Sequence, residues 1–156
     1  MLSSFISPAS IKVGLESSEK EESFAELLEI LVAKNPELNR REAMEALIAR
    51  EEKMSTAVFP FVAVPHALCS SAGDTLVAVG ISKTGIEFES PEPEKNPEHP
   101  VVNVIFEILF EEKDTDTHLH VLRDILQLVS NPGFIKNVLQ AKTSQEVFEF
   151  IESMEM

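Results

Sequence analysis

Two apolar runs limit what this chain can become. Val101 to Phe110 reads Val-Val-Asn-Val-Ile-Phe-Glu-Ile-Leu-Phe, and Thr75 to Ser82 reads Thr-Leu-Val-Ala-Val-Gly-Ile-Ser. Both carry several β-branched residues, and polar or turn-forming stretches bound them. Runs of this kind read as strands buried in the middle of a sheet. Both are far shorter than the ~20 apolar residues a membrane-spanning helix needs. Buried strands need amphipathic helices to cover them, and the rest of the chain provides candidates.

Phe24, Leu27, Leu28, Leu31 and Val32 recur at helical spacing. Ser18-Glu19-Lys20-Glu21 has the capping-box pattern, so a first helix is expected from Ser18 to Lys34, ending near Asn35-Pro36. Asn39 is the expected cap of a second helix that ends near Lys53, with Ala43, Leu47 and Ile48 as its apolar stripe and Ala46 and Ala49 alongside. Asp114 or Thr115 caps a third, with Leu119, Leu122, Ile125, Leu126 and Val129 as the expected core stripe. Ser130-Asn131-Pro132-Gly133 breaks it. Phe134 to Gln140 reads as a short helix, and Thr143-Ser144-Gln145-Glu146 opens a last one carrying Val147, Phe148, Phe150 and Ile151.

Ile11 to Leu15 alternates as a short opening strand, and Val62 to Val64 reads as another, ended by Pro65. Lys83-Thr84-Gly85 reads as a turn after which Ile86-Glu87-Phe88 pairs back as a hairpin arm. Ser90 to Pro100 holds four of the nine prolines and is expected to be a solvated loop. The order is strand, two helices, three or four strands, three helices. At 156 residues the expectation is a single α/β domain over 1–156, a mixed sheet flanked by helices.

The formal net charge is −14, from 27 acidic and 13 basic side chains. Such a surface repels nucleic acid and anionic lipid, and it suits a soluble protein that meets basic partners. The start of the chain has no basic region and no long apolar core, so no secretory signal is read there. Cys69 is the only cysteine and has no internal partner, which points to a reducing, cytoplasmic setting.

Chemistry-bearing residues are few. Of four histidines, His99 lies in the proline-rich loop and reads as a solvent residue. His118 and His120 fall in the first turn of the third helix. Two residues apart, they point in different directions and do not form a chelating pair. His120 is expected to face outward. His118 sits where free N–H groups and partial positive charge favour an anion. His66 stands at the mouth of the loop after Val62-Ala63-Val64-Pro65, and is either an ordinary loop histidine or an imidazole presented at a sheet edge.

His66-x-x-Cys69 is a thin signal for a metal site or a Cys–His hydrolase. No phosphate-binding loop, dinucleotide fingerprint or nucleophile elbow is present. The many glutamates read as solvated faces. A histidine that is itself the nucleophile fits better, because a neutral ring nitrogen can attack a phosphoryl group and hold it covalently. Such a site needs donors and positive charge around the phosphoryl oxygens. Thr56, Arg50, His118 and the backbone near His66 are the candidates.

Nearly the whole length resembles the enzyme IIA domains of the fructose–mannitol type in the bacterial phosphoenolpyruvate:sugar phosphotransferase system, including the nitrogen-regulatory members. The resemblance rests on several segments together. They are Leu2 to Val13, Arg50-Glu51 followed by Ser55-Thr56, Val62-Ala63-Val64-Pro65-His66-Ala67, Gly85-Ile86-Glu87-Phe88, His118-Leu119-x-x-Leu122, and the close from Ala141-Lys142-Thr143-Ser144. It implies that His66 accepts a phosphoryl group from the histidine-carrier protein HPr or a relative. His66 then passes it to a cysteine of a IIB domain or keeps it as a regulatory signal. By position, His118, Arg50 and Thr56 match the residues that support the phosphoryl group. The resemblance implies a mixed sheet with flanking helices and no cofactor or metal. In the family a glycine-rich segment follows the Ser-Thr pair. Here Ala57, Phe59 and Phe61 stand at its glycine positions, with Pro60 between, which makes that lip stiffer and more apolar. A regulatory interaction module on the same fold, binding through the Phe59–Phe61 lip, is the rival expectation.

Overall fold

The computed structural model describes residues 1–156. Five strands and five helices follow in the order β1 (Ile11–Val13), α1 (Lys20–Lys34), α2 (Arg40–Lys53), β2 (Val62–Ala63), β3 (His66–Leu68), β4 (Leu76–Glu87), β5 (Val101–Phe110), α3 (Thr115–Val129), α4 (Phe134–Gln140) and α5 (Ser144–Met154). They build one mixed sheet. β4 and β5 run antiparallel at its centre, β1 lies parallel to β4, and β2 and β3 lie parallel to β5 at the opposite edge. The two apolar runs are therefore the central pair, as their composition predicts.

Strand periodicity splits β5 between two cores. Val104, Phe106, Ile108 and Phe110 face α3, α4 and α5 with Val121, Ile125, Val138, Val147 and Ile151. Ile105 and Leu109 face α1 and α2 with Phe24, Leu27, Leu31 and Leu47. This two-sided cover is what the expected mixed α/β arrangement requires.

Several local expectations give way. α1 starts at Lys20, not Ser18, and Ser18 is not its cap. The Glu26 carboxylate reaches back to accept from the amides of Glu16 and Ser17 and so holds the entering chain extended. Residues 83–85 do not form a hairpin turn. β4 continues through them and stays paired with β5, with Ile81 opposite Val104 and Ile86 opposite Val102. The extra residues form a bulge in which Gly85 has φ +89°, and a Cβ there would meet Val101 Cγ1 at 2.3 Å. On α3 the core stripe is Val121, Ile125, Leu128 and Val129. Leu119 and Leu126 are 69% and 47% exposed instead of buried, and Leu122 is half-buried.

Candidate active site

His66 is the first residue of β3 at the sheet edge, so of the two expectations the imidazole presented at a sheet edge holds and the loop histidine does not. Pro65 has no N–H and interrupts the edge strand, but its carbonyl still accepts from Ile108 N at 2.9 Å. Register is kept across the break, with Val62 opposite Val104 and His66 opposite Ile108. The imidazole is half-buried, and its Nδ1 lies 2.7 Å from the carbonyl oxygen of Val64. A carbonyl only accepts, so Nδ1 carries the proton and Nε2 carries the lone pair. Burial holds the His66 pKa below its ordinary value. The Val64 bond pulls the other way, and the charges of Arg50 and His118 add to the lowering.

Three of the sequence candidates converge on this ring. A cavity of about 150 Å³ is lined by His66, Arg50, Thr56, Val58, Leu122 and Leu126 among others. A second, of about 460 Å³, brings His66 and Arg50 together with His118, Lys53, Phe110 and Leu122. Arg50 Nη1 donates to the carbonyl of Met54 at 2.8 Å, which bends the guanidinium over the end of α2. His118 stacks on Phe110, with ring centroids 4.2 Å apart, and Phe110 meets His66 edge-on at 6.2 Å. The Nε2–H of His118 donates to the carbonyl of Glu111 at 2.6 Å, so Nδ1 is the atom this ring has to offer.

Thr56 is buried at 2% exposure, and its hydroxyl donates to Glu51 Oε1 at 3.1 Å. Its single proton is thereby committed away from the cavity. Glu51 is itself only 4% exposed. Its role was not legible among so many glutamates, although it follows Arg50 directly. The reading of the glutamates as solvated faces fails for Glu51 and for Glu107, which is fully buried on β5.

The remaining candidates stay apart from this cluster. His99 is exposed beside Glu87, with Nδ1 and Oε1 3.1 Å apart, and His120 is exposed as expected. The Cys69 thiol is 2% exposed and donates to Glu42 at 3.3 Å, and burial pushes its pKa up. That is the opposite of what a nucleophilic cysteine needs. Phe61, in the lip that the resemblance singles out, holds φ +66°, a left-handed backbone, and is 51% exposed.

Residues 4–154 match the family described as "Phosphoenolpyruvate-dependent sugar phosphotransferase system, EIIA 2". The chain belongs to this family. Among curated relatives, this IIA domain is 32% identical over 142 residues to the fructose-specific EIIABC component of Bacillus subtilis (strain 168), covering 90% of the chain and 21% of that protein. It therefore spans about a fifth of that relative. It is 28% identical over 126 residues to the nitrogen regulatory protein of Klebsiella oxytoca, covering 81% of the chain and 75% of the relative. The fold is that of nitrogen regulatory protein IIA-Ntr from Neisseria meningitidis, with a TM-score of 0.83 and 22% identity over 96% of this chain and 98% of that one. No helix of this IIA domain is long and apolar enough to cross a membrane.

Proposed function

We propose that this IIA domain is a phosphoryl carrier in which Nε2 of His66 takes the phosphoryl group from HPr or an HPr-like protein and passes it to a IIB cysteine. The bond between His66 Nδ1–H and the Val64 carbonyl carries the reading. It leaves the Nε2 lone pair as the nucleophile. In the forward step an Nε2–P bond forms as the P–N bond to the donor's histidine breaks, and the donor ring keeps the released electron pair. Positive charge that develops on the His66 ring is stabilised at Nδ1–H by the Val64 carbonyl. Arg50 supplies a fixed cation beside the transferred group, and His118 offers Nδ1 from the facing helix. The lowered His66 pKa supports the reading, because only the neutral ring can attack. No metal or cofactor is needed for this transfer. The protein acts in the cytoplasm, where its donor is charged from phosphoenolpyruvate.

The test is phosphoryl transfer from phosphoenolpyruvate through purified enzyme I and HPr. Acid-labile label is expected on the wild type and absent from His66→Ala. A correctly folded wild type that takes no label from more than one HPr-like donor refutes the carrier role. One observation favours a second, regulatory use of the same site. Phe61 displays a half-exposed ring from a strained backbone where the family carries glycine, a feature suited to a binding lip switched by His66 phosphorylation. Loss of partner binding on phosphorylation, with no transfer to any IIB domain, would mark that use.

A further inference from the structure

We propose that Glu51 is a positioning residue for His66, holding its reactive tautomer through Thr56 and Val64. The inference rests on the carrier role above, but its tautomer readout does not. Glu51 is a carboxylate at 4% exposure, and a buried charge persists only where its acceptors are filled. Thr56 fills them. Its amide lies 3.0 Å from Oε1 and 3.2 Å from Oε2, and its hydroxyl 3.1 Å from Oε1. The Thr56 carbonyl then accepts from Val64 N at 3.1 Å. The Val64 carbonyl accepts from His66 Nδ1 at 2.7 Å.

Each link fixes the residue that carries the next. The links cross Cα atoms and not single peptide planes, so the effect is mechanical and not electronic. The need for it follows from topology. β2 and β3 pair with β5 on one side only, and Pro65 removes a donor just where the strand must be held. The Thr56 carbonyl is therefore the clamp on the free side of Val64, and Glu51 ties that clamp to α2. The same helix turn carries Arg50, so nucleophile and cation share one anchor. Without Glu51 the Val64 carbonyl loses its fixed place. The ring can then rotate or change tautomer, and Nε2–H has no lone pair in the plane to attack phosphorus.

The experiment compares wild type, Glu51→Ala and Glu51→Gln. The first readout is ¹⁵N NMR of the His66 ring, which reports the tautomer. The second is the rate of label uptake from phospho-HPr, scaled to folded protein. For Glu51→Ala the expected result is a mixed tautomer population and a rate lower by roughly 10- to 100-fold, the usual scale for lost orientation. Glu51→Gln keeps the shape and one acceptor oxygen, so an intermediate shift in both readouts is expected. It serves as the test variant if Glu51→Ala does not fold. A folded variant that keeps the wild-type tautomer overturns the proposal, whether or not its rate has changed. A wild type that takes no label refutes the carrier role instead, while the tautomer comparison still decides the part played by Glu51.

Discussion

Glu107 is the most exceptional side chain in the fold. It sits in the middle of β5, opposite Ala78 on β4, and neither carboxylate oxygen has a hydrogen-bond partner. Strand alternation turns it toward the α1–α2 core with Ile105 and Leu109. Burial raises its pKa well above the ordinary 4.5. The folded state therefore keeps a proton that the unfolded chain releases above about pH 4.5. The sign follows. Between that pH and the folded pKa the native state binds more protons than the unfolded state, so stability falls as pH rises, by about 1.4 kcal/mol per unit. Glu107→Gln removes the titration while keeping a polar, unpaired side chain. It should match wild type near pH 4.5 and gain on it by about 1.4 kcal/mol for each unit above, until the folded pKa is passed. Glu107→Leu also relieves the unpaired polar atoms and should add about 1–3 kcal/mol at every pH. Urea unfolding of the three proteins at pH 5, 6 and 7 measures both terms. Parallel pH dependences for wild type and Glu107→Gln would refute the argument, since they would mean that the buried carboxyl is not the group that titrates.

Phe61 holds a left-handed backbone, so glycine should be more stable than alanine there, by about 0.5–1 kcal/mol, reversing the usual order. Thermal unfolding of Phe61→Gly against Phe61→Ala checks this, and alanine proving the more stable sinks it. The lowered His66 pKa predicts an NMR titration midpoint below the ordinary 6.5. Since the unfolded chain protonates first, His66 costs stability as pH falls below about 6.5. A midpoint at or above that value contradicts the burial argument. For Glu26, burial alone would raise the pKa, but the amides of Glu16 and Ser17, the Lys12 ammonium and the Ser17 hydroxyl together bring it down to about 2. Its stabilisation is present above pH 4.5 and is lost as pH falls toward 2. Glu26→Gln should cost about 1–3 kcal/mol at pH 7, and the difference from wild type should shrink between pH 4.5 and 2.5 in acid unfolding curves.

The central strands, the helix order and the His66 segment were legible because each follows from local rules. Apolar runs mark buried strands, proline interrupts a ladder, and Asn39 and Thr143 cap with side chains that accept from Glu42 N and Glu146 N. Chemistry named Arg50, Thr56 and His118 as candidates around His66, but their positions were matched to one site only through resemblance, since nothing local brings the end of α2 to the start of α3. Glu51 and Glu107 were missed for a different reason. A glutamate is assigned to solvent by default, and only the packing around it reveals that its oxygens are filled by Thr56 in one case and by nothing in the other.

The α3 stripe, buried as expected at Ile125 and Val129 but exposed at Leu119 and Leu126, is the most informative case, because the sequence there supports two apolar stripes. Leu119, Leu122 and Leu126 make one, and Val121, Ile125, Leu128 and Val129 make the other. Helical periodicity cannot say which of two adjacent stripes meets the sheet. The structure buries the stripe of Val121, Ile125, Leu128 and Val129 in one core with Phe106 and Ile108, leaves Leu119 exposed, and sets Leu122 and Leu126 in the lining of the His66 cavity. Leu126, at 47% exposure, contributes little to folding, yet with Leu122 it borders a ring that in the carrier reading must be desolvated before transfer. An apolar rim around a half-buried imidazole excludes water once a partner covers it, and this strengthens every charge interaction with the transferred group. Leu122 and Leu126 read as core by pattern but line the candidate site, so in the carrier reading the same helix serves the fold with one stripe and the site with part of the other.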